Sequence, residues 1–400
     1  LDLDYHFRKV ALPAPGGMRE LLDVAASLAS TPLDRSRPLW EFTLIEGLAD
    51  GRAAVIQKMH HTITDGVGGI RLSLSLVDFE RDPAPKRGPR EAARQIAEDA
   101  AKEQATPALD PINRTSPLAV VADAVGFALR QPLGIARQGL GSAAHLATHP
   151  RDVAPAVAGA AALAGSVHRQ VLVTDSSRSR LLRDRSLGRR FEVMQVPFDG
   201  AKAAARKLGG SLNDLFVTAV AGGLGTYHDL MGEPCDELRM AMAISVRKKG
   251  DHSGGNAFVP TRIIVPVRPK DPAARFCLVR ERLLTVKGEP ALGAAGSLAG
   301  MLSSLPTAIL VAVTRSQART IDFATSNLRG SPVDLYMGGA RIAANYPMGP
   351  RTGCALNVTM MTYRGSLDLG VNLDPVAISD PAALMDCFRD SFAALLEFAT

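Results

Sequence analysis

At 400 residues the chain is longer than one small core requires, and two units of ordinary size are predicted. Hydrophobic residues at 46% and charged residues at 22% describe a folded chain rather than a disordered one. A net charge of +6 with only 5% aromatics argues against a nucleic-acid binder, which concentrates basic side chains on one face and adds stacking rings. An anionic membrane surface is the better match for a modest positive excess.

Residues 1–82 read as an α/β unit. Met18 to Ala29 carries Met18, Leu21, Leu22, Ala25 and Leu28 at helical spacing. Trp40 to Glu46 and Ala53 to Met59 are expected strands joined by the turn Ala49-Asp50-Gly51-Arg52. Val67, Ile70, Leu74 and Val77 then line one helix face. Residues 83–190 form a second region: a Pro-rich linker to about 117, Ala-rich helical pieces over 118–167, and a crossover holding seven arginines between Arg169 and Arg190. The crossover is expected to be a solvated loop, with contact to phosphates or anionic headgroups as the alternative.

Residues 191–400 read as a second α/β unit. Strands are expected at Phe191–Pro197, Arg239–Val246, Ala257–Val265, Ile321–Asn327, Ala355–Tyr363 and Ser366–Leu373. Helices are expected at Ala201–Leu208, Asn213–Met231 and Phe388–Ala399, and Ser211-x-x-Asp214 is a capping box for the second of these. Pro290 to Thr314 carries no charge, but Pro306 and small residues interrupt it, so a buried helix pair is expected rather than a membrane span. Cys235, Cys277, Cys354 and Cys387 lack zinc or redox spacing, which fits a reducing cytosol. The chain opens mid-pattern at Leu1-Asp2-Leu3-Asp4 without Met or a leader, and a preceding segment is expected.

One segment carries chemistry: His60-His61-Thr62-Ile63-Thr64-Asp65-Gly66, placed between a strand and a helix. Imidazole titrates near neutrality and can take a proton at pH 7. With eight histidines in the chain, an adjacent pair followed by Asp-Gly is not readily accidental. Neighbouring strand residues point to opposite faces, so the two rings would not share a metal, and none is expected. Asp65 is expected to pair with an arginine, in the expected preceding segment or else Arg35 or Arg37, and Gly66 to open the helix.

The segment resembles the HHxxxDG signature of the CoA-dependent acyltransferase superfamily. Further motifs narrow it to the bacterial wax ester synthase/diacylglycerol acyltransferase family: Pro38-Leu39-Trp40-Glu41, Asn213-Asp214, Ser245-Val246-Arg247 with Gly255-Asn256, and Ser326-Asn327 with Gly330, Leu335-Tyr336 and Gly339-Ala340. Arg329 and Ser331 stand where the family has prolines, and a more polar, more flexible loop is expected there.

The resemblance implies an α/β fold of two chloramphenicol-acetyltransferase-like lobes, with mixed sheets, flanking helices and an active-site tunnel between the lobes. It implies transfer of a fatty acyl group from acyl-CoA to diacylglycerol or a long-chain alcohol. His61 is the implied base, with His60, Asp65 and Gly66 completing the catalytic segment. Pro38, Leu39, Trp40, Asn213, Asp214, Ser326, Asn327 and Gly330 shape the substrate tunnel, and Asn327 is the candidate oxyanion donor. Acyl-CoA is a co-substrate and no bound cofactor is expected. The implied location is cytoplasmic, peripheral at the inner membrane or a lipid droplet. A non-catalytic lipid-binding homologue and a condensation-type acyltransferase are the alternatives.

Overall fold

The computed structural model describes residues 2–63, 69, 73, 76–83, 177–245, 258–287, 315 and 317–399. Within them the chain forms α1 (Leu3–His6), β1 (Phe7–Ala11), α2 (Met18–Ser30), β2 (Trp40–Leu48) and β3 (Arg52–Met59). There follow β4 (Arg190–Pro197), α3 (Phe198–Lys207), α4 (Leu212–Leu230), β5 (Glu237–Ser245), β6 (Phe258–Pro266) and α5 (Pro272–Lys287). The last elements are β7 (Phe323–Arg329), β8 (Tyr336–Met337), β9 (Ala340–Arg341), β10 (Leu356–Tyr363), β11 (Ser366–Leu373) and α6 (Pro381–Leu396).

Two mixed sheets organise these elements. The first has the order β1-β2-β3, with β1 parallel and β3 antiparallel to β2. The second has six strands in the order β4-β11-β10-β7-β5-β6. Its β10–β11 pair is a hairpin turning through Arg364 and Gly365, both at positive φ, the backbone that a tight two-residue hairpin loop demands.

The main core lies on one face of the larger sheet. Leu356, Val358 and Met360 of β10 and Leu367, Leu369 and Val371 of β11 alternate inward and meet α4 and α6. Helix α4 is apolar nearly all round because it is covered on several sides. Its N-terminus is the expected capping box, with both the Ser211 side chain to Asp214 N–H bond and its reciprocal present. A Cβ at Gly223 would lie 2.4 Å from Phe388, so glycine is what lets α6 pack this closely. Helix α2 lies beside β4: Leu22 and Ala26 pack on Phe191, and Arg19 bonds Glu192 at 2.7 Å.

Most expected elements fall within a few residues of their predicted ends, the usual scatter of helix and strand boundaries. Several were not legible as drawn, among them the one-turn helix α1 and the short strands β8 and β9. Strand β1 is extra. Helix α5 is also extra, opening at Asp271-Pro272 with the Asp271 carboxylate accepting Ala274 N–H at 2.7 Å. Helix α6 starts at Pro381 rather than Phe388, capped in the same way by Asp380. Asp65, Gly66, the linker beyond Pro83, the Ala-rich pieces 118–167, Arg169, Val246, Arg247, Gly255, Asn256 and the run Pro290–Thr314 lie outside the described residues. After the histidines, Gly69 and Ser73 are helical; Val77, expected on that face, is past the helix in a bend, buried against Leu335 and Tyr363.

Over residues 177–190 the arginine-bearing crossover is only partly solvated. Arg185 is desolvated because its guanidinium is spent on backbone carbonyls: Leu182 at 2.8 Å, Ala318 at 3.3 Å, Gly353 at 2.5 Å and Ile321 at 2.6 Å. Arg189 bonds the carbonyl of Ala29, Arg178 pairs with Glu237 and Arg190 with Glu192. Arg180 and Arg183 stay exposed, with no ion pair among the described residues.

Candidate active site

The histidine segment begins where β3 ends. Trp40 and Met59 are opposite in the β2–β3 register, and one step on His60 N–H donates to the Leu39 carbonyl at 2.9 Å. Ile63 N–H returns to the His60 carbonyl at 3.0 Å, closing a tight turn. His60 Nδ1 accepts Thr62 N–H at 3.2 Å and lies 2.7 Å from the Thr62 hydroxyl. As an acceptor there, the neutral His60 ring carries its proton on Nε2. His61 is the second residue of this turn, with its side chain exposed.

One expectation changes here. Both histidines lie past the strand, so their relation is set by a turn rather than by the alternation of a pleat. His60 is exposed and does not point into a core; its ring fixes the turn that presents His61.

The Pro38-Leu39-Trp40 element is joined to this turn. Pro38 is exposed, Leu39 and Trp40 half-buried, and the Trp40 N–H bonds the Pro38 carbonyl at 2.9 Å. The Trp40 ring stacks on His6 at 4.4 Å between centroids and contacts Phe42 at 5.0 Å. His6 is buried, and its Nδ1 donates to the Trp40 carbonyl at 2.7 Å. Glu41 is buried between Arg8 at 3.7 Å and Lys58 at 3.6 Å. Arg37, a candidate partner of Asp65, is engaged by Asp2 at 3.1 Å and Asp34 at 3.5 Å.

A second group forms at the larger sheet. Asn327 Nδ2 donates to Asn213 Oδ1 at 3.3 Å, bringing together two predicted residues from β7 and the first turn of α4. Asn327 is exposed, while Ser326 is half-buried on the opposite face of β7. Asp214 is buried and serves the cap of α4. Gly330 N–H bonds the Thr362 hydroxyl at 3.1 Å, and a Cβ there would lie 2.2 Å from the Thr362 carbonyl oxygen, so only glycine fits. Within the loop Ser331 donates to the Val333 carbonyl at 3.0 Å and accepts its N–H at 3.2 Å. The two groups are built on different sheets, and the mutual backbone pairing of Asp78 with Tyr336 at 2.8 Å ties the chain just after the histidine segment to the β8 ribbon.

Sequence reasoning missed His6, which no spacing marks, and a sealed serine–imidazole pair. Ser179 Oγ lies 2.7 Å from His228 Nε2, and His228 Nδ1 lies 2.7 Å from the Leu224 carbonyl. A carbonyl only accepts, so Nδ1 holds the proton, Nε2 accepts the serine hydroxyl, and the ring is neutral. Both residues are almost fully buried, which leaves no room for a substrate; the Ser177 hydroxyl and the Ser179 N–H donate to Asp322 beside them, so the cluster clasps the crossover to the sheet. Burial lowers the His228 pKa from its ordinary 6.5. Below pH 6.5 the unfolded chain binds this proton and the folded one resists it, so stability is full above that pH and is lost as pH falls beneath it. The slope of melting temperature against pH below 6.5 is expected to flatten in His228→Gln; an unchanged slope contradicts the assignment.

Comparison with known proteins places this arrangement. The wax ester synthase/diacylglycerol acyltransferase catalytic domain matches residues 1–216, and the C-terminal domain of the same family matches residues 254–396. A Mycobacterium tuberculosis H37Rv protein assigned as a diacylglycerol O-acyltransferase is 35% identical over all of this chain and 77% of its own length. A second from the same strain is 32% identical over 93% of this chain and 77% of its own. The wax ester synthase/diacylglycerol acyltransferase of Marinobacter aquaeolei VT8 shares the fold, with a TM-score of 0.62 at 21% identity, covering 100% of this chain and 81% of that one. The family matches thus define an acyltransferase. The chain belongs to the wax ester synthase/diacylglycerol acyltransferase family.

Proposed function

We propose that the protein transfers a fatty acyl group from acyl-CoA to the hydroxyl of diacylglycerol or of a long-chain alcohol, with His61 as general base. The observation that carries this reading is the turn itself: His60 is bonded back to Leu39 and Thr62, and His61 is presented from it with its imidazole exposed. In the reaction His61 takes the acceptor's hydroxyl proton as the oxygen attacks the thioester carbonyl. The tetrahedral adduct then collapses, the carbon–sulfur bond breaks, and the departing thiolate recovers the proton from the imidazolium. Free CoA and an ester result, and no acyl-enzyme is required. The Asn213–Asn327 pair is the candidate tunnel wall or oxyanion donor.

Among the described residues no helix is long and apolar enough to cross a membrane. Acceptors of this kind reside in a lipid phase, so the enzyme works as a peripheral protein at the inner membrane or a lipid droplet. Supplying diacylglycerol and a long-chain alcohol in equal amounts with a long-chain acyl-CoA tests the reading. Triacylglycerol, wax ester or both are expected; CoA release with neither ester formed contradicts it.

A further inference from the structure

The most exposed large apolar side chain among the described residues is Leu187, 98% accessible at the tip of the loop before β4. That loop is firmly held. Ser186 donates its N–H and its hydroxyl to Asp374 at 2.6 and 2.8 Å, and Gly188 N–H bonds the Ser186 hydroxyl at 2.9 Å. Arg351 bridges the same carboxylate and the Gly188 carbonyl, both at 2.6 Å. Asp374 also accepts Val376 N–H at 2.9 Å, and Val376 is itself 58% exposed. Pro375 lies between them against Gly188, where an added Cβ would sit 2.9 Å from the proline ring. One buried carboxylate therefore holds Leu187, Pro375 and Val376 outward as a small apolar tip.

The crossover that carries Leu187 is basic in sequence. Arg180 and Arg183 are exposed on the same crossover without an ion pair among the described residues, and Arg189 lies beside Arg351; Asp184 is the exposed acid between them in sequence. Presenting a leucine to water on a rigid mount is unfavourable unless it meets an apolar phase. Three side chains are too few for a protein interface, which covers about 800 Å² on each partner. A projecting apolar residue on a crossover that also exposes Arg180 and Arg183 fits a bilayer, where the leucine enters the acyl region and the arginines meet phosphates. We propose that the Leu187–Val376 tip is the point at which the protein docks on an anionic lipid surface. The inference rests on the reading that the acceptor is drawn from a lipid phase.

The test is co-sedimentation of the whole protein with phosphatidylcholine vesicles, with and without phosphatidylglycerol, at low and high salt. The Leu187→Ser/Val376→Ser variant is expected to lose roughly tenfold in binding at either salt, the scale of removing two partly inserted apolar side chains. Arg180→Gln/Arg183→Gln is expected to weaken binding only to anionic vesicles and only at low salt. Both should keep the wild-type melting temperature and the wild-type transfer rate to a short, water-soluble alcohol. Wild-type vesicle binding by the apolar variant overturns the proposal. So does a lowered melting temperature with binding retained, which would mean the protein's own chain covers the tip, or a change from dimer to monomer, which would mean a second copy does. A wild-type enzyme that esterifies no hydroxyl while the tip variant still loses vesicle binding would sink the proposed function and leave the docking surface standing.

Discussion

Replacing His61 with alanine is expected to lower turnover by about 10²–10⁴-fold, the range a positioned general base supplies, or more. The side chain is exposed on a turn whose backbone bonds are made by His60, Thr62 and Ile63, so the fold should survive its loss. The effect should fall on kcat and kcat/KM alike, since proton abstraction is felt only as the bond forms. His60→Ala removes the acceptor for Thr62 N–H and loosens the turn, so its activity loss should be smaller. Steady-state kinetics on variants with wild-type circular dichroism decide the matter; wild-type-like turnover in folded His61→Ala removes the histidine from the chemistry.

Asp374→Ala is expected to give the largest stability loss, about 3–5 kcal/mol, because it leaves a desolvated guanidinium without its counter-charge. Asp374 is fully buried and receives Arg351, both donors of Ser186 and the N–H of Val376. Burial alone would raise its pKa, but Arg351 and these hydrogen bonds more than reverse that and hold the carboxyl below its ordinary 3.8. The carboxylate therefore contributes fully above pH 3.8 and its contribution is lost on further acidification. Asp374→Asn keeps the shape and some acceptors and should fall between wild type and alanine. Chemical denaturation measures the difference, and a loss under about 1 kcal/mol would put the residue on the level of an exposed ion pair.

How much of this was legible depended on range. The cap at Ser211 and Asp214 and the hairpin around Arg364-Gly365 are written in consecutive residues, and the structure has them where local chemistry puts them. Strand β1 is different. All five of its residues are exposed, Phe7-Arg8-Lys9-Val10-Ala11 shows no alternation, and only backbone pairing to β2 makes it a strand. Helix α5 carries a buried stripe of Phe276, Val279, Leu283 and Val286, but exposed Leu278 and Leu284 and buried Arg275 blur it, although its Asp-Pro start could have been read.

The site divides in the same way. His60 and His61 stand out by type and spacing, and the tie from Leu39 to His60 follows once β2 and β3 are paired. The Asn213–Asn327 contact joins residues 114 apart and depends on β7 reaching the first turn of α4, which no local pattern encodes. The crossover arginines misled for a related reason. A charge pattern records Arg185 as one cation among several, but not the carbonyls of Ala318, Ile321 and Gly353, more than 130 residues away, that take it out of water.

The central claim is direct transfer from thioester to lipid hydroxyl, and one measurement addresses it most directly: CoA thiol release by stoichiometric enzyme and long-chain acyl-CoA, followed with the acceptor omitted and then added. The account predicts no burst and no acyl-protein adduct without acceptor, then release matched one to one by ester once diacylglycerol or a long-chain alcohol is present. A stoichiometric burst with a covalent acyl-protein in the absence of acceptor, or silence with every hydroxyl acceptor offered, would contradict it.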